Sequence, residues 1–357
     1  MKYRLLQNKQ MKRLLLVLIT VVVMCMTAFT GCSEDIYITT GLKESEIFKI
    51  SGKECRLAEM LLVLMTEKSR YEMELGDGIW NSSAQNLQMT LEDEIKHKVK
   101  NELIELKLID NFADKQEVVV TSDEKDKIKL AANEFMLSLT AEQKKLLGVE
   151  AKDVEGLYTS FLKAEKVYRE LTEDIDIEIS DEEARVIEVN YIFIATCRLD
   201  EDNKKIQFVG AEREEAMSKM EQVKELLAQG NDFVTVAQHH SDSNVYNRKF
   251  ARGEMVDDFE RAAYNLKVGE ISEPVATDDG YYFIYCVSDY LKDETNIKKV
   301  EMENAIRKSA YEEIYNPYKT EQTLEFNDKV WEKIELSEYS AVYTTDLYSI
   351  YNKHMKQ

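Results

Sequence analysis

The chain of 357 residues is long enough for two domains or one large core. It contains only 2 Pro and 12 Gly, and Glu, Lys and Leu are abundant, so the composition favours long helices over an all-β or disordered chain. Lys and Arg number 47 against 68 Asp and Glu, which gives a formal net charge of −21. Because phosphates need a basic face, we expect no nucleic-acid partner.

The N-terminus carries the long apolar stretch of the chain. Leu14–Phe29 is largely apolar, no acidic residue occurs before Glu34, and five basic residues come first: Lys2, Arg4, Lys9, Lys12 and Arg13. A basic start followed by an apolar run too short to span a bilayer comfortably indicates a signal peptide. We assign it to residues 1–31, with the true start at Met1 or Met11. The remaining residues, 42 basic and 68 acidic, carry a net charge of −26.

The signal ends at Phe29-Thr30-Gly31-Cys32, which resembles the lipobox of bacterial lipoproteins, with Phe29 where Leu is commonest. The resemblance implies that Cys32 is lipidated and becomes the mature N-terminus. Two acyl chains would suffice for stable attachment, and the acidic chain would not bind an anionic bilayer by its surface. We therefore expect a protein anchored to the bacterial cell membrane on its extracytoplasmic side. The alternatives are an ordinary signal with a chance Gly-Cys, or an uncleaved anchor.

The other cysteines and the histidines suggest no metal or disulfide framework. Cys55, Cys197 and Cys286 are odd in number and lack a CxxC pair. His97 lies among Lys and Glu on a solvated face, and the adjacent side chains of His239 and His240 diverge on a helix. We expect no metal and no cofactor.

Residues 32–185 begin with a short segment, residues 32–52, which we interpret as a tether or two short strands. Residues 53–185 follow as five or six amphipathic helices. The Thr90-x-x-Asp93, Thr121-x-x-Glu124 and Thr140-x-x-Gln143 patterns mark helix starts. The predicted helices are Arg56–Glu74, Thr90 to about Phe112, one after Thr121, one after Thr140, Ala151–Leu171 and a short one after Ser180. Nothing in this bundle indicates catalysis.

Residues 186–290 predict a small α+β unit in β-α-α-α-β-β order. The Asp279-Gly280 pair predicts a hairpin turn. The predicted elements are strand Val189–Ala195, helix Ala211–Gln229, a helix turn with Phe233, a helix with Met255, Phe259, Ala262 and Leu266 on one face, strand Ile271–Thr277 and strand Tyr281–Val287. Residues 291–357 predict a helix over Asn304–Tyr315 and a strand over Val330–Leu336, which return to the helical lobe.

Three ordered stretches of this unit resemble the parvulin family of peptidyl-prolyl cis-trans isomerases. They are Gly230-Asn-Asp-Phe233 to Ser241, Arg252-Gly-Glu-Met255 to Val275, and Asp279-Gly-Tyr-Tyr-Phe-Ile284. The layout also resembles the SurA and PrsA foldases: signal, helical lobe, parvulin unit and C-terminal helical return. The resemblance implies an α+β fold, in which a SurA/PrsA-like helical chaperone lobe carries an inserted parvulin-like domain with an antiparallel four-stranded sheet.

The resemblance also implies a site. Met255 and Phe259 fall on the prolyl-pocket positions of one helix face, although both suit a plain core. Phe250, in a loop shortened to Asn247–Phe250, would replace a missing pocket wall. The family's two histidines fall on Tyr191 and Tyr282; its Cys or Asp position falls on Asp242 or Ser243, and its hydroxyl on Thr277.

Two tyrosines cannot share a mobile proton near neutral pH, since the unperturbed pKa of Tyr is about 10. The resemblance thus implies a membrane-anchored foldase whose isomerase activity is weak, acting on unfolded or proline-containing secreted polypeptides. The alternatives are a non-catalytic peptide-binding chaperone and an interaction lipoprotein. If Tyr191 and Tyr282 pair antiparallel, Cys197 and Cys286 lie beyond disulfide reach, and we expect free thiols.

Overall fold

A computed structural model describes residues 41–81 and 90–356. The chain divides into two compact units. We call them the helical unit (the residues up to Asp174 together with Lys308 onwards) and the sheet unit (Ile175–Arg307). The predicted signal peptide, Cys32 and the rest of the tether as far as residue 40 lie outside the described residues. Among the helices of the described residues, none is long and apolar enough to cross a membrane.

The first five helices of the helical unit agree closely with the predicted ones. They are α1 (Leu57–Leu75), α2 (Leu91–Lys115), α3 (Ser122–Ser138), α4 (Ala141–Leu147) and α5 (Ala151–Thr172). The three predicted capping boxes are present, because Thr90, Thr121 and Thr140 each accept a backbone N–H three residues ahead. Their apolar faces share one core.

A small sheet completes this unit. Strands β1 (Glu46–Ile50), β2 (Lys53–Arg56) and β9 (Leu324–Phe326) pair antiparallel in the order β2-β1-β9. Phe48 stacks on Phe326 with ring centroids 6.5 Å apart, and both rings are buried. Residues 46–50 are therefore a core strand rather than a tether, since their apolar side chains find a partner almost 280 positions later in the chain.

The C-terminal prediction of a strand over Val330–Leu336 is wrong. That segment contains α10 (Asp328–Trp331) and a 3₁₀ turn over Leu336–Tyr339, and α11 (Leu347–Met355) follows. Val330, Trp331 and Ile334 have the spacing of one helical face as well as β-rich composition. The segment is helical rather than extended because Trp331 packs edge-on against Phe326, with ring centroids 6.0 Å apart.

The sheet unit contains an antiparallel four-stranded sheet built from β3 (Val186–Ala195), β6 (Asn247–Ala251), β7 (Val275–Ala276) and β8 (Gly280–Ser288). Their spatial order is β6-β3-β8-β7. This confirms the predicted fold class, an α+β domain within a helix-rich chain. The helices of the sheet unit are α6 (Ala211–Ala228), α7 (Phe233–His240), α8 (Asp257–Asn265) and the long α9 (Lys292–Thr320), whose last part belongs to the helical unit.

The two faces of the sheet bury different clusters because side chains alternate along each strand. Ile192, Ile194 and Phe283 pack with α6 and α7 on one face. Ile187, Val189, Tyr191 and Ile284 pack with α8 on the other face. Helices α6 and α7 therefore cover one part of the core of this unit, and helix α8 covers the other.

Three local predictions for this unit were wrong, and one hairpin was not predicted. Asn247–Phe250 belongs to edge strand β6 rather than a loop, and a hairpin of β4 (Cys197–Leu199) and β5 (Lys205–Gln207) was missed. Ser180 and Glu183 bond reciprocally, yet only a turn follows because β3 begins at Val186. Helix α8 begins at Asp257, since Gly253 has φ +79° and breaks the preceding turn.

Candidate functional site

Four aromatic side chains meet on the α8 face of the sheet, and we call them the aromatic cluster: Tyr191, Phe193, Phe259 and Tyr282. Phe193 of β3 lies directly opposite Tyr282 of β8, and their ring centroids are 4.7 Å apart. Phe259 of α8 lies edge-on to Tyr282 at 5.0 Å and to Tyr191 at 5.9 Å. Two strands and one helix thus converge on a single apolar surface.

The cluster has a buried layer and an accessible rim. Phe259 is fully buried and Phe250, whose ring lies 5.8 Å from that of Phe259, is 1% exposed. Phe193, Met255 and Tyr282 pack against this layer and are only partly buried. Phe193, Met255 and Tyr282, which we call the rim, therefore keep some solvent exposure, whereas Phe259 and Phe250 are closed off from solvent.

Met255 reaches the cluster from a turn and not from the helix that was predicted to carry it. The turn is fixed by Glu254, whose carboxylate accepts the Ala251 N–H at 3.0 Å. Asp257 and Asp258 then occupy the first turn of α8, where carboxylates favour the positive end of the helix dipole. Met255 still packs against the core that contains Phe259, although it does not lie on helix α8.

The phenol of Tyr282 has a perturbed acidity. Burial, followed by the charges of Asp279, Tyr191 and Cys197, raises the pKa of Tyr282 to about 12. The group therefore stays protonated near neutral pH and can donate a hydrogen bond. It cannot act as the mobile proton carrier that a histidine could provide.

Asp242 and Ser243 lie in the loop after α7 and are engaged in local bonds. Asp242 Oδ2 accepts the Ala195 N–H at 2.9 Å, and Oδ1 pairs with Lys219 of α6. The Ser243 hydroxyl donates to Val245 O at 2.7 Å and accepts the Val245 N–H at 3.1 Å. These side chains stabilise the loop that borders β3.

Thr277 organises the turn between β7 and β8. Its hydroxyl donates to Gly280 O at 3.0 Å and accepts the Asp279 N–H at 3.3 Å. The structure thus brings Tyr191, Tyr282, Met255, Phe259 and Phe250 together in the apolar core on the α8 face. It places Asp242, Ser243 and Thr277 in loops at strand ends. Cys32 lies outside the described residues.

Phe193 was missed in the sequence. It forms part of the rim and touches Tyr282, yet the sequence prediction used only Tyr191 from this strand. The available signal was period-2 alternation, which places residues 191 and 193 of one strand on the same face. A large aromatic side chain on the same strand face as Tyr191 would have identified Phe193 as a candidate site residue.

The histidines of α7 lie beside a separate hollow at the α6–α7 junction, lined by Leu226, Asn231, Asp232, Thr235, Val236, His239 and His240. The Nδ1 atom of His239 lies 2.7 Å from Thr235 O. In the parts of the chain that the structure describes, no group of three or more His, Cys, Asp or Glu is arranged to hold a metal ion. Cys55, Cys197 and Cys286 are free thiols.

The sheet unit is thus a four-stranded antiparallel sheet with helices on both faces, and the aromatic cluster lies on its α8 face. Residues 197–288 match the family described as "Rotamase: PPIC-type PPIASE domain". The chain therefore contains a PPIC-type domain, which accounts for most of the sheet unit.

Curated relatives carry the name "Foldase protein PrsA". The protein of Caldanaerobacter subterraneus subsp. tengcongensis is 26% identical over 223 residues, which cover 58% of this chain and 60% of that protein. The protein of Geobacillus sp. (strain WCH70) is 38% identical over 95 residues, 25% of this chain and 34% of its own. The chain thus spans less than two thirds of either relative. A crystal structure of peptidylprolyl isomerase (PrsA) from Bacillus cereus covers 77% of this chain and 97% of its own at 19% identity, with a TM-score of 0.34.

Proposed function

We propose that the sheet unit is a parvulin-type peptidyl-prolyl cis-trans isomerase domain within an extracytoplasmic foldase. The observation that carries this proposal is the aromatic cluster, whose rim of Phe193, Met255 and Tyr282 is accessible above the buried Phe259. The PPIC-type match and the foldase names of the relatives support it.

The reaction requires little chemistry from the protein. Rotation about an X-Pro bond has a barrier near ~20 kcal/mol and breaks no covalent bond. A catalyst must grip the proline ring and favour the twisted amide over the planar one. The rim supplies apolar contact, and the protonated phenol of Tyr282 supplies a hydrogen-bond donor. Tyr191, Asp242, Ser243 and Thr277 stay candidate members of the site, with Phe250 and Phe259 as its support.

We expect the rate to be low, because tyrosines stand at both positions where the family has histidine. The pKa of Tyr282, about 12, removes any ionisation from the neutral range. A neutral donor at each position preserves hydrogen bonding and gives up acid–base exchange between the strands.

The rim can be tested with the full chain in detergent, in a proline-limited protein refolding assay. Met255→Ala and Phe193→Ala should each lower the catalysed rate by about tenfold, because each removes a contact made to the proline ring. The matched controls are Met217→Ala, at an exposed side chain of α6, and Phe208→Ala, at a side chain that packs on the α6–α7 face of the sheet. Both should leave the catalysed rate unchanged. A wild-type chain that leaves refolding at its spontaneous rate excludes the isomerase assignment.

A second candidate, a non-catalytic peptide-binding chaperone, is favoured by the outer surface of α3. Leu130 and Leu137 are 60% and 83% exposed, and their seven-residue spacing places them on one helix face. Suppression of client aggregation that persists in the rim variants and is lost in a Leu130→Ser, Leu137→Ser double variant would establish it. Leu199→Ser, an exposed leucine of the sheet unit, is the control.

We propose further that residues 1–31 are a signal peptide and that lipid at Cys32 anchors the protein on the extracytoplasmic side of the bacterial membrane. In this arrangement the isomerase domain occupies 186–290, residues 32–52 lead from the anchor, and residues 53–185 and 291–357 serve as the chaperone lobe. The partners are unfolded or proline-containing secreted polypeptides, and the acidic charge disfavours nucleic acid. An interaction lipoprotein with one fixed partner is the remaining alternative, which affinity capture would show.

A further inference from the structure

Strand β6 ends before β3 reaches the aromatic cluster, so within the described residues the last part of β3 has no neighbouring strand on that side. Strand β6 pairs with β3 only as far as Asn190, and the Tyr191 N–H then donates to Tyr246 O at 2.8 Å. Because antiparallel hydrogen bonds alternate along a strand edge, the N–H groups of Phe193 and Ala195 are the next to need acceptors on that side. An unpaired edge at this point would leave the end of β3 poorly fixed.

Two side chains take the place of the missing strand, and we call them the Ser241–Asp242 clamp. Ser241 Oγ accepts the Phe193 N–H at 3.1 Å, and Asp242 Oδ2 accepts the Ala195 N–H at 2.9 Å. The Asp242 N–H donates in return to Phe193 O at 2.7 Å. Both backbone groups of Phe193 are thus held by the clamp.

The clamp is itself tied to α6. Asp242 Oδ1 pairs with Lys219, and the two side chains are 35% and 31% exposed. Both carboxylate oxygens of Asp242 are therefore committed, one to the strand and one to the helix. Ser241 Oγ also accepts the Ser243 N–H at 3.2 Å, which fixes the loop on its other side.

We propose that Ser241, Asp242 and Lys219 are positioning residues for prolyl isomerisation, which hold Phe193 against Tyr282. The inference rests on the proposed function. The Phe193 ring lies 4.7 Å from Tyr282 at an interplanar angle of 32°, so a shift of the strand end would move part of the rim directly. Since catalysis depends on complementarity to the twisted amide, a displacement near 1 Å is costly.

The test compares Asp242→Ala with Asp242→Asn in the full chain. The asparagine keeps an acceptor for the Ala195 N–H, whereas alanine removes it. We expect Asp242→Ala to lower kcat by about tenfold with KM changed less than threefold, and Asp242→Asn to retain at least a third of kcat. Asp200→Ala is the control, because Asp200 also accepts two backbone N–H groups, those of Asp202 and Lys204, in a turn away from β3.

Residue-resolved hydrogen exchange supplies a readout independent of activity. Exchange of the Phe193 and Ala195 amides should accelerate at least tenfold in Asp242→Ala, and Ser241→Ala should expose the Phe193 amide if Asp242→Ala does not fold. Lys219→Met should produce a smaller change in the same direction.

If the wild-type chain is active, either of two results would overturn the positioning role and leave the proposed function standing. One is unchanged kcat and unchanged amide exchange in Asp242→Ala. The other is an Asp242→Asn variant as inactive as Asp242→Ala with both amides still protected, which would assign Asp242 a chemical role. A wild-type chain without activity overturns the proposed function and the positioning role together, whatever the exchange rates.

Discussion

Tyr191 and Tyr282 are diagonal neighbours on the two central strands rather than a directly opposed pair. Tyr191 faces Ile284, and Tyr282 faces Phe193, so the two phenol rings lie 5.9 Å apart across the register. Both rings also touch Phe259. Phe259 of α8 therefore lies against both positions at which the resemblance implies a histidine.

Restoring histidine at these two positions should raise isomerase activity. In Tyr191→His, Tyr282→His we expect a gain of at least tenfold in kcat/KM, because imidazoles titrate near pH 6.5 whereas the pKa of Tyr282 is about 12. A new pH dependence of the rate should appear between pH 5 and 8, where Tyr282 of the wild-type chain does not ionise. The rate is measured by proline-limited refolding.

The control for this experiment is Tyr281→His, since Tyr281 is the adjacent residue of β8 and packs on the opposite face. It should leave the rate and its pH profile unchanged. A folded double variant with no gain would show that histidine ionisation is irrelevant at this site.

Local capping and spacing predicted most of the helices because the decisive contacts are local. Thr90, Thr121 and Thr140 each close a capping box within three residues. The errors arose where distant partners decide. The sequence left residues 46–50 open between a short strand and a tether, and the contact of Phe48 with the distant Phe326 decides for the strand. Edge strand β6, which was predicted as a loop, exists only because residues 186–190 of β3 pair with it.

In the candidate site, too, the sequence predicted individual residues but not the contacts between distant segments. The resemblance supplied Tyr191, Tyr282, Met255 and Phe259, all of which lie in or against one cluster. It did not supply the cross-strand register, which pairs Tyr282 with Phe193. Register depends on bulges and turn geometry between segments about 90 residues apart, and a single strand pattern does not contain that information.

Gly280 is required by the close approach of β3 and β8. A Cβ atom at this position would lie 2.0 Å from Ile194 O and 2.8 Å from Cε2 of Phe193. Gly280→Ala must therefore separate the strands beside the rim, and we expect the free energy of unfolding to fall by about 3 kcal/mol in urea denaturation.

Gly269→Ala distinguishes the steric clash from backbone strain. Gly269 has φ +87° and open space around its Cβ position, so its substitution should cost only about 1 kcal/mol. Equal losses in the two variants would contradict the role of strand approach at Gly280.

Cys32→Ser should release the protein from the membrane. The acyl chains, and not the acidic surface, supply the binding energy in this proposal. Metabolic labelling with a palmitate analogue should mark the wild-type chain and leave Cys32→Ser unlabelled, with the variant found in the medium or the soluble envelope fraction. Cys197→Ser, which removes a partly exposed thiol, should retain both label and membrane attachment. Label on a Cys32→Ser chain would exclude this anchor.

Glu102 should make the helical unit less stable as the pH rises. Burial raises the pKa of Glu102 from 4.5 to about 7, Lys98 opposes this, and the nearby Glu67 adds to it. Lys98 Nζ lies 3.2 Å from Glu67 and 3.8 Å from Glu102, so one ammonium serves two carboxylates. The protonated form of Glu102 is the one that folding favours. Its contribution is complete below about pH 4.5 and is lost as the pH rises through 7.

The variant Glu102→Gln mimics the protonated form and should remove this loss. Its free energy of unfolding should exceed that of the wild-type chain by roughly 1–3 kcal/mol at pH 8 and match it near pH 4.5, in urea titrations at both pH values. Glu134→Gln is the control of opposite sign, because bonds from Lys353 and His354 lower the pKa of Glu134. That variant should be less stable than the wild-type chain at pH 8, and the difference should shrink as the pH falls below 4.5. A Glu102→Gln curve parallel to that of the wild-type chain would show that Glu102 is ionised at pH 5 in the folded chain.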